Sequence, residues 1–330
     1  FGSSFLWKNP FQNGGQLGCD VDFTRFYKEL RAFYKLPWIF SKPIRTIFKG
    51  YLVRYDQPPF MGSKKTLYKA IQRGFLCGFS NKKKNFSSGT NIGLELAKTT
   101  DVSNDIAQAI DFSTNLIDKN VPYLFIEPNF IMDFLDNNLN PTKGTFSLLT
   151  LKGMFPLKKD DTFFIRILLE QSFFSKFYTP FVFALRLRLG HIFNKAFSHI
   201  MPPERFYLGG AYSLRSYSSD AAPPLGYYAN DEGVRQYVPA GGKTMFNANI
   251  EIRSPLFFQA LGLVIFQDFG ILKGGSVIEP IQGKILAGTG FGVRYYTPVG
   301  PLRFDIGWKW KKYYESEPGF SWFLTLGQAF

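Results

Sequence analysis

One stretch constrains this chain more than its composition does. In LRFDIGWKW, Leu302, Phe304, Ile306, Trp308 and Trp310 alternate with Arg303, Asp305, Gly307 and Lys309. Side chains that change face at every residue belong to an extended strand with one apolar and one polar side, whereas a helix would bring together residues three and four apart. The same period runs through TMFNANIEIR, where Phe246, Ala248, Ile250 and Ile252 oppose Asn247, Asn249, Glu251 and Arg253. It recurs in FALRLRL (Leu185, Leu187 and Leu189 against Arg186 and Arg188) and in IRILLE (Ile165, Ile167 and Leu169 against Arg166 and Glu170).

Alternation alone fits a soluble antiparallel sheet as well as a membrane one. Two features favour the membrane. Aromatic residues make up 18 % of the chain, with 38 Phe and 17 Tyr. They crowd the apolar faces near strand ends (Trp308, Trp310, Phe320, Trp322), as in the girdles of membrane barrels. The polar faces carry charges of both signs, which suits a lumen holding water or a plugging loop. A bilayer also forbids an open sheet edge, so such strands should close on themselves. The expected fold class is therefore all-β, a transmembrane antiparallel β-barrel.

The pattern gives about fifteen strands, at 1–8, 16–25, 27–36, 44–55, 66–79, 89–98, 121–134, 144–155, 162–174, 179–190, 244–253, 260–268, 285–297, 301–311 and 319–330. YTPVGP, with Pro298 and Gly300, reads as a three-residue hairpin connection, and NPTKG (140–144) as a second turn. The connections 99–120 and 191–243 are long, and one of about fifty residues between strands points to function. The longest uncharged run, between Arg253 and Asp268, has 14 residues, short of the roughly 18 that a membrane helix requires.

The remaining composition excludes several classes. The net charge is +14, but the basic residues (Lys64 and Lys65, Lys82 to Lys84, Lys158 and Lys159, Lys309, Lys311 and Lys312) read as scattered and solvated, not as the single basic face of a nucleic-acid binder. Attraction to anionic lipid headgroups is an intermediate possibility. Cys19 and Cys77 form no framework and match no metal motif. With only His191 and His199 as histidines, zinc chemistry has little to work with. No ordered nucleophile constellation is apparent, so neither an enzyme nor a cofactor is expected. FGSSFLWKNP lacks the layout of a secretory signal, and the sequence starts without Met, as a fragment would.

Four stretches together resemble the bacterial surface antigen family of outer-membrane assembly factors, the BamA- and TamA-like barrels. RFYLGGAYSLRSY resembles its glycine-rich loop segment with a Val-Arg-Gly-Phe/Tyr tip. FQDFG (Phe266 to Gly270) resembles its Phe-x-Asp-x-Gly. GTGFGVRYYTPVGPLRFD (Gly288 to Asp305) resembles its Gly-x-Gly-x-Arg strand and Pro-x-Gly-Pro turn. FSWFLTLGQAF ends in an aromatic three residues after Gly327, like the family's C-terminal signal. NPTKG is a weaker match, towards the TamA-like branch. The resemblance implies sixteen strands, which places the start of this sequence at the second. It also implies a first strand and periplasmic POTRA domains upstream.

The resemblance further implies that loop 191–243 folds back into the barrel and that its tip arginine, Arg215, pairs with an inward-facing acid, Asp268. The chemistry is reasonable, because a guanidinium offers a planar fork that a carboxylate accepts bidentately. Glu251 and Asp305, on predicted polar faces, are alternative partners. Gly209 and Gly210 are expected to let the backbone turn tightly beside Tyr217. Ser216 stands where the family has glycine, and serine tolerates positive φ less well, so the tip geometry there is in question. Gly327 and Phe330 carry two readings. One is a small lumen-facing residue and a girdle aromatic. The other, which the resemblance implies, is an insertion signal on the last strand and a weak seam that opens to template an incoming strand.

The function implied is a non-enzymatic assembly or translocation factor in the bacterial outer membrane, with an organellar membrane as the lesser expectation. Its partners would be outer-membrane lipids, unfolded β-barrel or autotransporter-like clients and periplasmic accessory proteins, without nucleic acid. A two-partner-type secretion pore is the alternative, and a passive diffusion porin stands third.

Overall fold

The computed structural model describes residues 2–330 except 40–41, 58–66, 159–161, 179, 230–232, 256–259, 275–282, 299 and 314–316. Lys64, Lys65 and Lys159 therefore lie outside the described residues. The alternating segments form strands β1 (Gly2–Lys8), β2 (Gln16–Phe23), β3 (Tyr27–Leu36), β4 (Arg45–Asp56), β5 (Lys69–Lys83), β6 (Phe86–Thr100), β7 (Val121–Asp133), β8 (Gly144–Pro156), β9 (Phe164–Tyr178) and β10 (Phe181–Asn194). A hairpin, β11 (Leu225–Ala229) and β12 (Arg235–Pro239), interrupts the series inside the long loop. Then follow β13 (Thr244–Pro255), β14 (Leu261–Lys273), β15 (Leu286–Thr297), β16 (Gly300–Lys309) and β17 (Phe320–Leu326).

Apart from the hairpin, these make one antiparallel sheet of 15 strands in sequence order, with β10 paired directly to β13 across the long loop. Each of the fifteen expected segments is a strand of this sheet. Connections alternate between a turn end, with β1–β2, β3–β4 and β5–β6 among others, and a loop end that carries 101–120 and 195–243.

The period-two pattern divides the two faces as sequence predicts. Phe75, Leu94, Ile265, Phe291, Trp322 and Leu324 are all exposed on the outside, and Phe291 packs on Trp308 and Phe304 on Trp322 along that surface. In a lipid environment this apolar band faces acyl chains. Among the described residues no helix is long and apolar enough to cross a membrane. The inside holds a continuous apolar core that joins wall residues such as Phe125 and Phe164 to loop residues Phe206, Leu208, Leu214 and Tyr217.

Three local features differ from expectation. Segment 101–120 contains a short helix, α1 (Asn104–Ala109), capped by the Ser103 side chain. It packs on β11 so tightly that a Cβ at Gly226 would lie 1.6 Å from the Ala109 carbonyl oxygen. A six-residue helix gives too little periodicity to read. Thr297 pairs with Gly300, so the β15–β16 connection has two residues, not three. Finally, β17 stops at Leu326 instead of running to 330. Gly327 takes a φ of +93°, and the chain leaves the wall there.

Candidate functional site

Register places the site. Reading across β10, β13, β14, β15 and β16, Arg186 stands beside Asn249, then Asp268, Gly288 and Lys309. The next inward row runs Ala184, Glu251, Phe266, Gly290, Gly307 and, on β17, Ser321. The third runs Arg253, Val264, Gly292 and Asp305. Three carboxylates thus lie next to a floor of glycines, all facing inward.

Arg215 of the long loop is fully buried in this hollow. Its Nε and Nη2 donate to Asp268 Oδ2 and Oδ1 at 2.9 and 2.8 Å, and its own backbone N–H donates to Oδ2 at 2.9 Å. Nη1 donates to Glu251 Oε1. The guanidinium lies 3.5 Å from the Phe266 ring centroid, so one face is covered by an aromatic. Burial opposes the charge on Arg215, but Asp268 and Glu251 more than offset that, and its pKa is raised above the ordinary arginine value.

Of the two alternative partners, Glu251 is a direct one and is held from its other side by Arg253 at 2.7 Å. Asp305 lies 3.9 Å from Arg215 and pairs more closely with Arg294 (2.6 Å) and Arg303 (3.1 Å). The site is a network of four arginines and three acids, not an isolated pair. Desolvation of so many charges cancels much of their attraction, so the network's value lies in specifying one arrangement. Asn249 joins it, donating to Asp268 Oδ1 at 2.7 Å and to the Ser213 carbonyl.

The backbone of the tip is held by its own bonds. Gly209 and Gly210 have φ of +110° and +99°, as their expected role as turn residues requires. Gly209 N–H donates to Ser213 Oγ at 2.8 Å, and Gly210 N–H to the Tyr217 carbonyl at 2.9 Å. Tyr217 is buried, with Lys309 Nζ 4.4 Å from its ring.

Ser216 resolves differently from expectation. It is absent from the residues with positive φ, so the backbone there asks nothing that only glycine supplies. Its side chain sits over Gly288, where a Cβ would lie 2.1 Å from Ser216 Oγ. The wall supplies the space that a glycine at 216 would have left. Other glycines act likewise. A Cβ at Gly270 would meet Leu214 at 2.8 Å, and one at Gly307 would meet the Arg215 carbonyl oxygen at 2.8 Å. The alternate glycines of GTGFG were visible in the sequence, but only the tertiary fit shows what they accommodate.

Sequence reasoning missed a second anchor on the same loop. Glu204, buried, accepts from Lys152 Nζ at 2.6 Å and from Gln72 Nε2 at 3.3 Å. Burial opposes its ionisation, but Lys152 outweighs this and holds the carboxyl below the ordinary range. Arg205 beside it donates to the carbonyls of Ile200, Ala240 and Asp111 at 3.1, 2.9 and 2.8 Å, stitching the long loop to segment 101–120. The loop thus crosses the lumen with an acid on one wall and a base on the other. Glu204→Ala, which strands Lys152, is expected to destabilise by about 3–5 kcal/mol, while Glu204→Gln recovers part of that. Urea unfolding curves of the two variants check this ranking.

Gly327 and Phe330 are placed apart from the girdle. Past Gly327 the chain turns inward: Gln328 donates to Asn140 at 2.9 Å, and the Ala329 carbonyl accepts from Arg186 at 3.0 Å. The Phe330 ring lies 5.9 Å from that of Phe174, with Arg186 and Arg253 at 4.9 and 5.2 Å. The girdle reading of Phe330 is therefore corrected. Two guanidiniums and a buried ring inside the barrel draw it in where a free φ at Gly327 permits the turn.

A model of the Omp85 superfamily domain matches residues 9–330. The chain belongs to the Omp85 superfamily. It is 30 % identical over 181 residues to the outer membrane protein assembly factor BamA of Nitratidesulfovibrio vulgaris, covering 54 % of this chain and 22 % of that protein. It is 31 % identical over 133 residues to the chloroplastic outer envelope protein 80 of Arabidopsis thaliana, covering 38 % of this chain and 15 % of that protein. This Omp85 chain thus spans less than a quarter of the length of these relatives. Among solved structures, BamA from Haemophilus ducreyi lacking POTRA domains 1–3 superposes with a TM-score of 0.80 at 17 % identity, over 98 % of this chain and 65 % of that one. CdiB from Acinetobacter baumannii gives 0.57 at 14 % identity, over 97 % and 54 %. The protein is an outer-membrane β-barrel, as the alternation and aromatic girdles predict.

Proposed function

We propose that this barrel is an outer-membrane assembly factor that inserts β-rich client proteins, engaging them at a strand edge and not through its lumen. One observation carries the reading: the last strand, β17, has only seven residues, so a seam made along it is weak and opens readily into a free edge. The unpaired N–H and C=O groups of such an edge template an incoming strand. Gly327 ends the strand after seven residues, leaving the edge short and its far end weakly held. The latched loop supports the same view, because a seated loop closes the route through the lumen. In this reading Arg215, Asp268 and Glu251 are the latch, Gly209, Gly210 and Tyr217 shape its tip, and Asp305 steadies the arginines around it. Gly327 and Phe330 set the seam. Clients are unfolded β-barrel or autotransporter-like proteins, with outer-membrane lipids and periplasmic accessory proteins as further partners.

The assembly-factor name of the Nitratidesulfovibrio relative supports assembly over the two-partner-type secretion pore. The full-length protein, reconstituted in vesicles, is expected to speed the folding of an unfolded β-barrel client several-fold over empty vesicles, with small and erratic conductance. A large, steady conductance without faster client folding would leave a porin, and export of a soluble partner without it would leave a secretion pore.

A further inference from the structure

The acidic residues of the first six strands are sorted by height. Residues 1–100 hold five acids, Asp20, Asp22, Glu29, Asp56 and Glu95. All five lie in the strand halves leading to the loop end, where Asp20, Asp22 and Glu29 face Arg31 and Asp56 faces Arg54. The turn-end halves contain no acid at all: none occurs in 1–19, 30–55 or 74–94. Yet they carry Lys8, Lys35, Lys42, Arg45, Lys82, Lys83 and Lys84, every one exposed. None forms an ion pair among the described residues. Basic residues occur at both ends of these strands, but only at the turn end do they stand without acids. Six of the fifteen strands of the sheet, β1–β6, have a purely cationic rim at their turn end.

Aromatics accompany the outer part of that rim. Lys83 shares its strand face with Phe75 and Phe79, both exposed, and pairs across the ladder with exposed Phe86. Trp38 and Lys42, both exposed, lie on the β3–β4 connection, and exposed Trp7 lies at the turn end of β1, two strands away. Aromatic rings at the end of an apolar band mark the level of the headgroups, and cations just beyond it meet lipid phosphate. A second group, Lys35 and Arg45, lines a cleft of ≈ 490 Å³ at the mouth with Gln16, Thr46 and Ser80. An acidic polypeptide would find its cations in that mouth. The girdle-level lysines face the bilayer instead.

The geometry points to a binding surface for anionic glycerophospholipid on the turn-end rim of β1–β6, carried by Lys42, Lys83 and Lys84 with Trp7, Trp38 and Phe86. It enriches negatively charged lipid along the β1–β6 wall and does not depend on what the barrel does to clients.

The test uses the full-length protein in phosphatidylcholine vesicles, with either spin-labelled phosphatidylglycerol or spin-labelled phosphatidylcholine as the probe. The immobilised fraction of each reads selectivity. The wild type is expected to prefer phosphatidylglycerol at least about threefold at low salt. The preference should vanish between about 0.1 and about 1 M salt, as the screening length falls from about 10 to about 3 Å. K42Q/K83Q/K84Q should abolish it and K42R/K83R/K84R keep it. K158Q/K195Q/K312Q, which removes the same charge from the loop end, should leave it intact. No preference in the wild type overturns the proposal, as does a preference that survives K42Q/K83Q/K84Q or one lost equally in the loop-end variant. Binding of polyglutamate, lost together with the lipid preference only in K35Q/R45Q/K82Q, would assign the rim to an acidic protein partner instead.

Discussion

Arg215→Ala is expected to lower stability by about 3–5 kcal/mol, the usual cost of taking one member from a buried charge cluster. It should also free the loop tip from the lumen. Among the described residues, alanine leaves Asp268 with Asn249 as its side-chain donor, and Glu251 with Arg253 and the more distant Arg294. Asp268→Ala should cost somewhat less, because Arg215 keeps Glu251, although its backbone N–H then loses an acceptor. Both substitutions remove the same two side-chain bonds, from Nε and Nη2 to the Asp268 carboxylate, so the double variant should fall close to the worse single one. Losses that simply add would show that the two residues act independently. Arg215→Lys keeps the charge but loses the fork and should lie nearer to alanine than to the wild type. Unfolding midpoints in urea measure the energies, and single-channel conductance reports the loop, rising as the tip leaves the lumen. Unchanged conductance in Arg215→Ala would mean that the Glu204 anchor holds the loop unaided.

The parts of the fold that were legible in the sequence are those with a strong period. Alternation in LRFDIGWKW or TMFNANIEIR records two environments that differ at every residue, and the fifteen strands follow from it. Arg215 and Asp268 were reachable because each sits in a stretch with a family likeness. Glu204 was not, since a lone acid in PPERFY looks like any solvated loop residue until Lys152 and Gln72 appear from strands far away in sequence. The inward turn at Gly327 was hidden for a related reason. LGQAF reads as strand plus girdle aromatic, and only the guanidiniums of Arg186 and Arg253, brought to the same lumen, make the interior the better place for Phe330. The cationic rim was obscured because the sequence interleaves turn-end and loop-end residues, and their separation becomes visible once antiparallel topology assigns each a height.

The glycine floor yields the second large effect, one that leaves every charge in place. Gly307→Val is expected to dislodge the tip as completely as Arg215→Ala does. A Cβ there would lie 2.8 and 2.9 Å from the carbonyl oxygen and carbon of Arg215 and 2.9 Å from the Ser216 nitrogen. These are backbone atoms that cannot rotate aside, so the loop must lift, at a cost at or above the roughly 1–3 kcal/mol of ordinary overpacking. Conductance should rise and client folding should slow although Arg215, Asp268 and Glu251 are intact. A glycine-to-valine change in a strand could also act on the strand itself, and Gly288 separates the two causes. Gly288→Ala meets Ser216 Oγ at 2.1 Å and Ser216 Cβ at 2.5 Å, with the Trp308 carbonyl oxygen further off at 2.9 Å. Adding Ser216→Gly removes the first two contacts, so the double variant should recover much of what Gly288→Ala loses. The same second change should do nothing for Gly307→Val, whose clash is with the main chain. Rescue of both, or of neither, would mean that these glycines matter to the strands and not to the fit of the tip.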